Sequence, residues 1–242
     1  MPDQIEIYNQ HAEQYERLVS REDCRGNILP ALTEIHPFAG GRVVELGAGT
    51  GRLTRLLAPL VDTIWALDSS GHMLGVAARR LAARGARNWQ VAVADHRHLP
   101  VADSSADVVI SGWSVCYLAV LGGQSWRAEV GQGLREMERV LHGSGVIILL
   151  ETLGTGYEAP EAPEKLQGYY DFLEAEGFSR KWIRTDLAFA SLEEAVALMG
   201  FFFGAEMAAK VAEKKWVTVP ECTGIWWRGA GSSNLPREAS NL

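Results

Sequence analysis

From residue 42 to residue 150, short apolar runs alternate with longer segments whose apolar positions recur every three or four residues. The runs at 42–46, 63–67, 89–94, 107–111 and 145–150 are predicted strands. Between them 52–60, 71–84 and 124–142 are predicted helices, the last carrying Val130, Leu134, Met137 and Leu141 on one stripe. Such alternation predicts a parallel sheet with helices packed on both faces.

The flanks follow other rhythms. Residues 4–18 set Ile5, Tyr8, Ala12, Tyr15 and Leu18 at helical spacing, an amphipathic lead-in helix, and 26–35 predicts a second helix ended by "HPFAGG". After Glu151, "LGTGYEAPEAP" reads as a loop, 164–176 as a helix with Leu166, Tyr169 or Tyr170, and Leu173 on one side, and "GFSRKWIRTDLAF" as a strand. Ser191 opens a Ser-x-x-Glu capping box before one apolar stripe of Leu192, Val196, Met199, Phe203, Met207 and Val211. "WVTVPECTGIWWR" is a last strand, with Pro220 marking an edge or a bulge, and 231–242 reads as a flexible tail.

Composition narrows the class. The 242 residues are 47% hydrophobic and 22% charged, the balance of an ordinary globular chain. A formal charge of −7 argues against a nucleic-acid partner, which calls for a basic face. Cys24, Cys116 and Cys222 are odd in number and far apart, so they predict neither a disulfide framework nor a metal site. The N-terminus is too polar for a signal peptide, and no apolar run is long enough to cross a membrane, so a cytoplasmic location is expected.

The candidate chemistry sits in "VVELGAGTGRLT", residues 43–54. Gly47, Gly49 and Gly51 let the backbone turn tightly after a strand and leave its peptide groups open to a ligand, although glycines also serve purely structural turns. The next strand ends in "ALDSS", where Asp68 stands at the distance of an acid that holds ribose hydroxyls; capping of the following helix is the alternative. "VAVADHRHLP" puts Asp95 at the neighbouring tip, where it can accept from an adenine amino group. A dinucleotide fingerprint needs glycine where Arg52 stands, and Glu45 places negative charge where a pyrophosphate would lie, so a cationic nucleoside ligand fits better.

With "ADVVISGWSVCYL" added, these four motifs resemble, in order and spacing, the cofactor motifs of the class I S-adenosylmethionine-dependent methyltransferases over about residues 40–152. The resemblance implies a Rossmann-like three-layer αβα sandwich, with a seven-stranded, mostly parallel sheet, an antiparallel last strand and a helical cap. It divides a single domain over 1–230 into a lead-in (1–36), a cofactor core (40–152), an acceptor-side cap with strand six (153–215) and the last strand (216–228). It assigns the cofactor's methionine part to Gly47, Ala48, Gly49 and Gly51, with Glu45 orienting the turn. The ribose falls to Asp68, the adenosine flanks to Ser69 and Met73, and the adenine to Asp95 and the His96 backbone. Ser111, Gly112 and Trp113 would flank the sulfonium. The chain departs from the family at "LHGSGVIIL", where a proline and paired glycines are usual, a turn remote from the methyl group.

Methyl transfer is an in-line displacement that can rest on positioning alone, so a dedicated base is optional. His11, Tyr15 and Trp113 are the candidates for a catalytic part; for His11, simple packing of the lead-in helix is the competing account. A small-molecule acceptor is expected, with Tyr8, Tyr117, Tyr157, Arg184 and Phe203 as contact candidates. Arg184 paired at the surface with Asp186 or Glu221 is the competing account for that residue. A nicotinamide-dependent oxidoreductase and a non-catalytic cofactor-binding partner protein are the alternative readings.

Overall fold

The computed structural model describes residues 4–85 and 87–231. The lead-in is α1 (Gln4–Gln10), α2 (Ala12–Val19) and α3 (Ile28–Ile35). The core runs β1 (Arg42–Leu46), α4 (Arg52–Leu57), β2 (Thr63–Asp68), α5 (Gly71–Ala83), β3 (Trp89–Val93), β4 (Ala106–Gly112), α6 (Cys116–Leu121), α7 (Trp126–Val140) and β5 (Leu141–Thr155). It continues with α8 (Glu164–Ala175), β6 (Ser179–Arg184), β7 (Leu187–Ala188), α9 (Leu192–Phe203), α10 (Ala205–Lys214), β8 (Thr218–Val219) and β9 (Glu221–Gly229).

Seven strands form one sheet in the order β3-β2-β1-β4-β5-β9-β6, parallel except for β9, which runs antiparallel to both β5 and β6. β7 and β8 make a separate two-stranded ribbon. Strand parity splits the core into two layers. Val44, Leu46, Val109, Ile147, Leu149 and Trp226 pack on the side of α7 and α8, while Val43, Val108, Ile110, Ile148, Leu150 and Ile225 pack on the side of α3 and α4. Both faces are therefore covered, which is why the sequence of these strands is continuously apolar.

The predicted sandwich with its antiparallel last strand is the fold observed. Local features differ from the expectation: the run after Gly177 breaks into β6 and β7, and the last strand breaks at Pro220 into β8 and β9, the two short pieces pairing as the ribbon. The lead-in helix turns at His11 (φ −124°, ψ 31°) into two short helices. The stripe after Ser191 keeps helical spacing through Gly204, yet that glycine sits at φ +97° and turns the chain, so α10 folds back on α9 as a hairpin. Leu141 belongs to β5, which is fifteen residues long instead of six. The side chain of Ile5 and residues 232–242 of the expected tail lie outside the described residues. Among the described residues no helix is long and apolar enough to cross a membrane.

Candidate active site

The parallel register decides where chemistry can gather. Leu46 is level with Leu67 and with Ser111, and Asp68 is level with Val93, so the chain leaves β1, β2, β3 and β4 along one line at their carboxyl ends. The strand order reverses between β1 and β4, and a crevice opens at that switch. A cavity of about 510 Å³ fills it, with α1 and α2 as its roof. Asp68 and Asp95 both line this cavity, as do Gly47, Gly49, Ser69, Met73, His96, Gly112, Trp113, Tyr8, Tyr15 and Tyr117.

The turn after β1 is shaped by its glycines. Gly47 has φ +65°, and a Cβ there would stand 1.9 Å from Ser114 Oγ, so only glycine lets Ser114 close on the turn. Gly51 (φ +83°) packs against Ala77 and starts α4, and it is not among the residues that line this cavity. The Gly49 amide donates to Asp68 Oδ2 (2.8 Å) and the Ser70 amide to Oδ1 (2.8 Å), so Asp68 ties the turn to β2. Burial raises the pKa of Asp68 and these two donors pull it back. Helix capping falls to Ser70, whose hydroxyl accepts from the Met73 amide.

Parity puts Glu45 beside Val43 on the α4 side, where Thr54 Oγ1 donates to its Oε2 (2.5 Å) and burial pushes its pKa up to about 8. Glu45, Ala48, Thr50, Arg52 and Tyr15 surround a 30 Å³ annex of the main cavity. Thr50 Oγ1, buried there, has no hydrogen-bond partner among the described residues. Trp113 sits at φ +53°, its ring 3.5 Å beneath the Arg52 guanidinium, and Arg52 pairs with Glu22.

At the β3 end, Asp95 faces the cavity with its carboxylate clasped by Arg97, through the backbone amide (2.8 Å) and the guanidinium (2.8 and 2.5 Å). That bonding holds the Asp95 pKa near 2, and Arg97 in turn reaches Glu129 on α7 (2.6 Å). The His96 ring, also on the cavity wall, has Nε2 2.8 Å from Ser114 Oγ; enclosure pushes its pKa down to about 4. On the roof, the Tyr8 and Tyr117 hydroxyls share a 2.7 Å hydrogen bond, and burial raises the pKa of both. The roof is fastened where Ser70 Oγ donates to Tyr8 O (3.0 Å) and where Glu16, 2% exposed, meets Arg55 (2.9 Å) and Arg80 (2.8 Å).

Several expected residues lie elsewhere. Ser111 shares the face of Val109, is 1% exposed and points into the core, so Ser114 takes the place at the cavity wall expected of it. His11 packs edge-on against Phe201, and Phe203 against Phe202. Arg184 pairs with Asp186 (2.7 Å), the competing account, and exposed Tyr157 lies under Lys210. His11 does not line the cavity, nor do Phe203, Arg184 and Tyr157, because the chain after β5 packs α8 on the sheet face and α9 behind α2, away from the strand ends. Leu118 and Leu121 of α6, which the sequence reading overlooked, form that wall instead. Among the described residues no group of His, Cys, Asp and Glu could hold a metal ion.

Residues 44–149 match the methyltransferase domain family. The chain is 33% identical over 111 residues to the uncharacterized protein YafE of Escherichia coli, covering 46% of this chain and 49% of that one. It is 32% identical over 141 residues to a demethylmenaquinone methyltransferase of Clavibacter sepedonicus, covering 58% and 51%. It thus spans about half the length of both relatives. Its fold is that of phosphoethanolamine N-methyltransferase 2 of Haemonchus contortus, solved with phosphomonomethylethanolamine and S-adenosylhomocysteine: TM-score 0.62 at 15% identity, over 94% of this chain and 59% of that one. Sequence match, fold and crevice agree in their likeness to the S-adenosylmethionine-dependent methyltransferases, with the family match itself confined to residues 44–149. These matches favour methyl transfer over the nicotinamide alternative.

Proposed function

We propose that the chain is a methyltransferase that moves the methyl group of S-adenosylmethionine to a small, uncharged, ring-bearing acceptor with a free hydroxyl. The observation that carries this is the sharing of one cavity by the glycine turn, Asp68, Asp95 and an apolar, tyrosine-lined wall.

The residues present suit the cofactor. Asp68 is placed for the ribose diol, Met73 and the loop at Asp95–His96 for the adenine, and the annex with its orphaned Thr50 hydroxyl, Arg52, Tyr15 and Glu45 for an amino-acid end. The bound cofactor supplies an electrophilic methyl on a sulfonium. Trp113 and the roof shield that region from water and hold an acceptor in line. Tyr8 and Tyr117, both protonated, offer a hydrogen-bond donor to an acceptor oxygen. The charged side chains lining the cavity, Asp68, Asp95, Arg97 and Glu129, belong to the β2 and β3 ends and α7, which leaves the β4 side for an uncharged group. The quinone-type substrate in the name of the Clavibacter relative agrees with a ring-shaped acceptor.

Calorimetry with S-adenosylhomocysteine, followed by mass-spectrometric screening of hydroxylated aromatics with S-adenosylmethionine, tests this. Binding and a product heavier by one methylene support it. Binding without any product across hydroxyl, amine, thiol and carboxylate acceptors favours the non-catalytic partner instead.

A further inference from the structure

We propose that Ser114 and His96 form a proton relay for the acceptor, in which Ser114 Oγ takes the acceptor's hydroxyl proton as its own passes to His96 Nε2. The inference rests on the methyl-transfer reading above.

The two side chains come from separate strand-end loops and meet at 2.8 Å on the cavity wall. Their place is fixed by the glycine turn: a Cβ on Gly47 would fall 1.9 Å from Ser114 Oγ and 3.5 Å from His96 Cε1. The pair thus lies at the switch point between β1 and β4, beside Trp113, and not out along the adenosine side.

Elimination among the described lining residues leads to the same pair. Tyr8, Tyr15 and Tyr117 have raised pKa values and can give but not take a proton. Asp68 is occupied by two backbone amides, and Asp95 and Glu129 by Arg97. His96 is neutral, because enclosure and the neighbouring Arg97 outweigh the pull of Asp95; Glu129 on α7, tied to Arg97, is the other charge packed near it.

The step balances in atoms and charge. The S–CH3 bond breaks with its electron pair left on sulfur, and an oxygen lone pair of the acceptor forms the new O–CH3 bond. The hydroxyl proton reaches Ser114 as the Ser114 proton reaches His96. Positive charge leaves sulfur as it arises on imidazole, so the enclosed site carries one cation throughout, and the imidazolium returns its proton to water when the ether departs. General-base assistance of this type is worth on the order of a hundredfold or more.

The test uses the full chain, its His96→Gln and Ser114→Ala variants, and two probes, phenol and 4-nitrophenol. All three proteins should bind S-adenosylhomocysteine measurably by calorimetry, which shows that they fold. Methylation of phenol at neutral pH should fall about a hundredfold in each variant, and that of 4-nitrophenol, measured where the free probe is already ionised, much less. Unchanged rates, or equal losses on the two probes, in variants that bind S-adenosylhomocysteine overturn the relay and leave the methyltransferase reading intact. So does a wild type that binds the ligand but methylates neither probe. A folded wild type that does not bind S-adenosylhomocysteine overturns the earlier reading instead.

Discussion

The two flanks of the cavity are built in different ways. On the β2–β3 flank, Asp68 and Asp95 stand within two residues of strand tips and Arg97 four beyond, and apart from the Arg97–Glu129 pair their bonds run to one another and to backbone amides. On the β4 flank, Trp113, Ser114, Tyr117, Leu118 and Leu121 meet Tyr8 and Tyr15 of the roof, and the Tyr8–Tyr117 bond joins residues 109 positions apart. The first flank is charged and locally encoded. The second is apolar and phenolic, and exists only once the roof has docked.

The largest expected effect tests that division directly. Asp68→Ala removes an ionic acceptor and should weaken S-adenosylhomocysteine binding about a hundredfold, the upper range for a charged hydrogen bond, whereas Tyr117→Phe should leave it within about threefold. Equal losses by calorimetry would erase the distinction between the flanks. Next in size is the pH dependence set by Glu45. Its pKa near 8 means that it is protonated at neutral pH in the free protein, and an ammonium group entering the annex favours the ionised form. Binding should therefore release a proton below about pH 8 and tighten about tenfold per pH unit at most as pH rises toward that value. Glu45→Gln should abolish the release, read from calorimetry in buffers of different ionisation enthalpy.

Smaller still is the roof bond. A double-mutant cycle of Tyr8→Phe and Tyr117→Phe should show a coupling of about 1 kcal/mol in urea unfolding, the usual net value of one hydrogen bond. The smallest effects belong to Arg184→Ala and Tyr157→Ala, which should change cofactor affinity by less than about twofold because neither reaches the cavity. A larger loss would show that the chain after β5 contributes to one of the flanks.

What was legible in the sequence follows the same divide. Strands with both faces buried announce themselves as apolar runs, so β1 to β4 fall within a residue or two of their predicted bounds. The glycine turn and its acids were readable because their partners are near in sequence. Periodicity failed where one residue redirects the chain without altering the count, as at Gly204, and where parity hides a polar side chain, as at Ser111. Ser114 left no local mark, since its role depends on His96 arriving from elsewhere, whereas Tyr8 and Tyr117, both named from the sequence, do line the cavity. After β5 the contact candidates Tyr157 and Phe203 lie off the cavity, and the bulkiest aromatic side chains, Tyr169, Tyr170 and Trp226, pack in the core.

β9 sits between β5 and β6 although it follows both in the chain. On the ribosome, the edges of those two strands must wait, exposed, until residues 221–229 emerge to bridge them. Arg228, 3% exposed, then bolts the bridge through Glu138 and the Glu176 carbonyl. A premature stop shortly before Glu221 would thus do more than trim an end: it would leave a sheet in two unjoined pieces, with sticky borders and a nascent polypeptide prone to aggregate.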